Sequence, residues 1–219
     1  MWCIAEITPE YRQRMYRLLD LYEEEYDPKR PVICIDEKSK QLIEEKRTPI
    51  PMKPGSLAKY DYEYKRNGTR NIFVAVEPKG GRRIIKVTKT RKKNDFANFV
   101  REVVENKYAQ STEIRIVLDN LNTHFEESFH ETFSKKEAKK ILSKIIFCYT
   151  PKHASWLNMA EIEINMMDRE CLGQKIGNEK LLKQQIRSWT KERNKARKKI
   201  IWKFTKQDAD KKLSKHYAP

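Results

Sequence analysis

The run Val32 to Ile35 is wholly apolar and largely β-branched, which leaves it no polar face to turn to water. Such a strand is stable only when covered on both sides, and this commits the chain to a sheet held between helices. Ile114 to Leu118 is a second run of this kind, interrupted only by Arg115, and Ile145 to Tyr149 is a third, closed by Pro151. Asn71 to Val76 and Arg83 to Thr88 flank Glu77, Pro78, Lys79, Gly80 and Gly81, a turn composition that predicts an antiparallel hairpin. Helical spacing of Tyr11, Met15, Leu18, Leu19 and Tyr22 predicts an entry helix from Thr8, its cap, and Pro9, its first residue, to about Tyr26. Phe96, Phe99, Val100, Val103 and Val104 mark a second helix, capped by Asn94 or Asp95. Ser134 to Lys144 marks a third, and a fourth begins near Asn158. The order predicts an α/β fold: a mixed five-stranded sheet with flanking helices. Pro49, Pro51, Pro54 and Gly55 predict an exposed loop between the first strand and the hairpin.

Two of the strands run into an aspartate, Asp36 and Asp119. Ligands of sheets with parallel strands gather at the carboxyl ends, so these two acids share a site if their strands are neighbours. The helix after the fifth strand offers Glu161, Glu163, Asp168 and Glu170. At about 100° per residue, Asn158, Glu161, Asn165 and Asp168 fall on one polar stripe bordered by apolar surface, and Glu163 points almost oppositely. Two divalent ions about 3.5 to 4 Å apart can stabilise both oxygens of a phosphodiester displacement, and such hard cations take carboxylates. Asp36, Asp119 and Glu161 are the expected ligands, with Asp168 as a helper. Each acid alone has a plainer explanation. Asp119 before Asn120 could form an Asx-turn, and Glu161 three residues after Asn158 could complete a capping box. His124 and His153 are substrate contacts or hydrogen-bonded structural residues, with the second the better expectation, and Trp156 is expected in the core.

A polyanion is the natural partner of a chain with 47 lysines and arginines against 31 acids, a net charge of +16 spread along its length and densest after residue 180. Cys3, Cys34, Cys148 and Cys171 have no zinc-site spacing, and Cys34 and Cys148 sit in apolar runs where buried free thiols are expected. The N-terminus has no signal-peptide pattern and no apolar stretch reaches the roughly 18 residues of a membrane span, so no membrane partner and a cytoplasmic location are expected.

The wording around the acids is specific: VICIDEKS at residues 32 to 39, IVLDNLNTH at 116 to 124 and YTPKHASWLNMAEIE at 149 to 163. Together with PIPMKPG at 49 to 55, DYEYKRNGTRNIFVAVEP at 61 to 78 and WKFTKQDADKKL at 202 to 213, these motifs resemble the DDE transposases of the bacterial insertion-sequence family six-thirty, relatives of the mariner elements. The resemblance implies a ribonuclease-H-like fold, with Asp36, Asp119 and Glu161 as the catalytic, metal-binding triad. It also implies magnesium or manganese, two ions in all, with hydrolytic nicking at element ends followed by attack of the freed 3′-hydroxyl on double-stranded DNA. Glu37, Asn120, His124, His153, Asn158 and Asp168 are expected to support the ligands or touch DNA. The implied division is a linker and entry helix over 1–30, the catalytic domain over 31–175 and a basic helical extension over 176–219. The stretch around Trp2-Cys3-Ile4 resembles the family's linker, so the helix-turn-helix region that reads terminal repeats is expected to be missing. A homodimer on DNA, in a prokaryotic cytoplasm and at the nucleoid when acting, completes the expectation. The competing readings are a non-catalytic DNA-binding remnant of a transposase and a ribonuclease-H-like nuclease.

Overall fold

The structure, a computed structural model, describes residues 7–218; Cys3 and the Trp2-Cys3-Ile4 stretch lie outside the described residues. The chain enters through α1, Pro9–Glu23, with the Thr8 hydroxyl accepting from the Tyr11 N–H and proline in the first turn, as the sequence predicts. Then follow β1, Val32–Glu45; β2, Tyr64–Glu77; β3, Arg82–Thr88; α2, Lys93–Glu102; β4, Ile114–Leu118; α3, Glu127–Thr132; α4, Lys135–Leu142; and β5, Ile145–Tyr149. The chain closes with α5, Met159–Met167; α6, Glu179–Lys195; and α7, Lys206–Leu213. The five strands form one sheet in the order β3-β2-β1-β4-β5, antiparallel across β3-β2-β1 and parallel across β1-β4-β5. This is the mixed five-stranded sheet with flanking helices that the sequence predicts.

Strand alternation divides the interior between two faces. Ile33, Ile35, Phe73, Ile114, Ile116 and Leu118 pack against Phe96, Phe99, Val100, Phe129 and Ile141 of α2, α3 and α4. Cys34, Val76 and Val117 turn the other way, onto Met15, Leu18 and Leu19 of α1 and Met159 and Ala160 of α5. Further along, Leu42, Ile72 and Val74 cover Ile164 and Met167 together with Leu182 and Ile186 of α6. Cys34 is fully buried; Cys148, on the edge strand, is only half-buried.

Three local expectations are corrected. Asp36 does not end its strand: β1 continues to Glu45, because the antiparallel partner β2 carries it onward after parallel pairing with β4 stops at Cys34 and Val117. Helix α2 is capped from inside, the Asp95 carboxylate accepting from the Lys92 N–H at 2.9 Å, so Lys92 takes the cap position expected for Asn94 or Asp95. Trp156 is not in the core; it is 43% exposed. No helix among the described residues is long and apolar enough to cross a membrane.

Candidate active site

The parity of β1 decides where its acids go. Asp36 shares the face of Cys34 and turns toward α5, whereas Glu37 shares the face of Ile35 and turns toward α2 and the loop after β4. Asp36 and Asp119 both lie just past the last β1–β4 pairs, so the parallel register brings the two strand exits side by side. Asn158 ties α5 to this edge. Its side-chain amide donates to the Ile35 carbonyl at 2.8 Å while its side-chain oxygen caps α5 by accepting from the Ala160 N–H at 3.1 Å. Glu161, half-buried, follows within the first turn of α5.

Asp36 lies in the negative field of its acidic neighbours. Burial lifts the Asp36 carboxyl to about 7, against the lowering effect of the Glu37 N–H, and the negative fields of Glu161, Glu37 and Asp119 lift it further. Among the described residues no hydrogen bond or ion pair engages the Glu161 carboxylate, and the capping box open to it does not form, because the Asn158 N–H donates to Ser155 instead. Asp119 does form the Asx-turn, accepting from the Leu121 N–H at 3.0 Å, and the same oxygen also meets His124 Nδ1 at 2.7 Å.

His124 carries more structure than its sequence context promises. The ring is 1% exposed, lies 4.6 Å from the Phe96 ring and reaches Glu37 with Nε2 at 3.1 Å. Burial opposes the charged ring, yet hydrogen bonds to Asp119 and Glu37 outweigh it and raise the imidazole to about 9. Burial likewise opposes the Asp119 charge, and the His124 contact overrides it, holding the carboxyl below its ordinary range. His124 thus clamps the loop after β4 to the residue that follows Asp36.

Asn120 and Asp168 stand at the margins. Asn120 donates to the Thr150 carbonyl at 2.7 Å and accepts from Arg14 at 3.3 Å, joining β4, β5 and α1. Asp168 is paired at 2.5 Å with Lys38, two residues beyond Asp36 on β1. His153 is exposed in a left-handed backbone conformation, φ 60°, on the turn before α5.

One cluster escaped the sequence. Glu163, fully buried, accepts from Arg83 of β3 at 2.8 and 2.9 Å and from Arg193 of α6 at 2.6 and 3.1 Å. Burial works against its charge, but the two guanidinium forks outweigh burial and hold the carboxyl low. The opposed direction of Glu163 and Glu161 is what the helical wheel predicts. The signal for a buried ion cluster was an acid on the apolar side of α5, although its partners lie far off in sequence.

Among the described residues no three histidine, cysteine or acidic side chains stand close enough to cage a metal ion. Asp36 accepts from the Glu37 N–H at 2.8 Å and Asp119 meets His124. The donor set is nevertheless all oxygen and anionic, the chemistry that a hard divalent cation takes.

Residues 31–183 match the DDE superfamily endonuclease family. Solved structures share the architecture, which is ribonuclease-H-like. The Mos1 mariner paired end complex with Mn is 15% identical, with a TM-score of 0.56, over 90% of this chain and 60% of that one. The Mos1 strand transfer complex is 14% identical, with a TM-score of 0.58, over 87% and 58%. The mariner Mos1 paired end complex with Mg is 15% identical, with a TM-score of 0.58, over 100% and 66%. The chain therefore spans about three fifths to two thirds of those chains' length, and identities this low speak for the fold alone. A search of curated proteins finds no match. With the family match covering most of the sequence and all three acids, this chain belongs to the DDE superfamily endonuclease family.

Proposed function

We propose that the chain is the catalytic domain of a DNA transposase of the insertion-sequence family six-thirty. In this reading Asp36, Asp119 and Glu161 hold two Mg2+ or Mn2+ ions and double-stranded DNA, gripped by a homodimer, is cut and joined. The observation that supports it is the backbone arrangement: Asp36 and Asp119 follow the last pairs of neighbouring parallel strands, and Glu161 stands in the first turn of α5, which Asn158 ties to the Ile35 carbonyl. When bound, the ions supply a water ionised near neutral pH and charge stabilisation on the attacking and leaving oxygens. The protein supplies position. His124 joins Asp119 to Glu37. The net charge of +16 favours a polyanionic substrate. Two of the structural neighbours are Mos1 paired end complexes with Mn or Mg, and the same ions suit the donor set here.

Purified protein incubated with supercoiled plasmid is expected to produce open circles in Mg2+ or Mn2+ and none in EDTA. An RNA–DNA hybrid is expected to be cut no faster than duplex DNA. Preferred cutting of the hybrid would replace transposition with a ribonuclease role, and DNA binding without cutting in either metal would leave a non-catalytic remnant.

A further inference from the structure

Trp156 lies in the short turn between β5 and α5, just upstream of Asn158 and Glu161, and exposes 43% of its surface. An indole has a large apolar face and one polar N–H, a combination suited to contact surfaces. The ring is not loose. Trp202 lies alongside at 6.5 Å with 20° between the planes, and Phe204 meets it edge-on at 5.4 Å and 85°. These neighbours are themselves anchored: the Trp202 indole N–H donates to the Phe204 carbonyl at 2.8 Å, and Trp202 packs 5.3 Å from Tyr22, whose hydroxyl donates to the Leu157 carbonyl at 2.7 Å. A fixed aromatic plane with open surface is a stacking platform already ordered before any ligand arrives.

Its surroundings select the ligand. Lys152 and Lys203 are exposed next to the platform in sequence, and the Lys212 ammonium sits 5.4 Å over the Phe204 ring. Lys212 also favours the charge of the Asp208 carboxylate. The nearby acid Asp208 is occupied by the Thr205 N–H and hydroxyl, both at 2.9 Å. Flat apolar surface with positive charge nearby matches a nucleobase with its phosphate, and a base inside a duplex cannot offer its face.

We propose that Trp156 stacks one unpaired base of the DNA strand that enters the carboxylate site, with the neighbouring lysines holding that nucleotide's phosphates. The assignment rests on the DNA-acting function above and adds to it a contact that prefers frayed, flapped or single-stranded termini over closed duplex.

The test is fluorescence anisotropy on three DNAs: a duplex with a thymidine overhang, the same duplex with an overhang of abasic units, and a blunt duplex. Each is titrated with wild type, Trp156→Ala and Trp156→Phe, with circular dichroism to establish that the variants fold. Base–aromatic stacking is worth about 1–3 kcal/mol, so Trp156→Ala should weaken binding of the thymidine overhang by roughly 5- to 150-fold. Its binding of the abasic and blunt DNAs should change by less than about twofold, and Trp156→Phe should keep most of the affinity. An equal loss on all three DNAs would make Trp156 a structural brace, and no loss on any would hand the surface to another occupant, a protein partner or a second copy of the chain; either result overturns the proposal. Plasmid nicking read on the same variants separates the two claims, because metal-dependent nicking by a wild type with no overhang preference would sink only the stacking site.

Discussion

Asp119→Asn should abolish metal-dependent nicking, by at least about a thousandfold, while leaving the protein folded. The side chains have the same shape, so the Asx-turn to the Leu121 N–H survives, and the amide can still meet His124. What disappears is negative charge at the point where cations must be held; losing even one neutral hydrogen-bond donor to a transition state costs about 2.7–4 kcal/mol, roughly 10²- to 10³-fold, and losing a ligand of the ions is expected to cost more. Comparing the nicking rate of wild type and variant in Mn2+ decides it, with far-ultraviolet circular dichroism as the control. A variant that nicks at the wild-type rate would remove Asp119 from the site.

The second large effect concerns stability. Glu163→Ala leaves Arg83, whose side chain has 0% exposure, with a buried and uncompensated charge, and Arg193 loses its main partner. Breaking a buried pair from one side costs about 3–5 kcal/mol. For a chain of this size that corresponds to a fall in Tm of roughly 6–20 °C. The cluster joins α5 to β3 and α6, so the fall should be cooperative and visible by calorimetry. A shift below about 2 °C would mean that apolar packing alone positions the helix bearing Glu161.

Why some features were readable and others were not follows from the range of the forces involved. The apolar runs at Val32 and Ile114 have no polar face, so periodicity alone placed them inside a sheet covered on both sides. Thr8 and Pro9 announced the start of α1 by chemistry confined to a single turn. The remainder of β1 was hidden because residues 36–45 are largely polar and owe their extended form to pairing with β2, a partner chosen at long range. His124 looked like an ordinary histidine for the same reason: Glu37, which makes it a clamp, lies 87 positions away in sequence. Trp156 was expected inside because tryptophan usually is, and only the positions of Trp202 and Phe204 reveal a plane held open. The three acids were legible through the motifs around them rather than through their own pattern, since an aspartate after a strand is common.

The most direct test of the central claim is electron paramagnetic resonance of Mn2+ titrated into the protein with a short duplex, wild type beside the Asp36→Ala, Asp119→Ala, Glu161→Ala triple variant. It needs no cleavage event and so holds whether or not the chain recognises any particular DNA end. Two protein-dependent ions in the wild type, both lost in the triple variant while duplex binding persists, are the predicted result. Equal Mn2+ binding by both proteins would contradict it and leave the three acids without the role proposed for them.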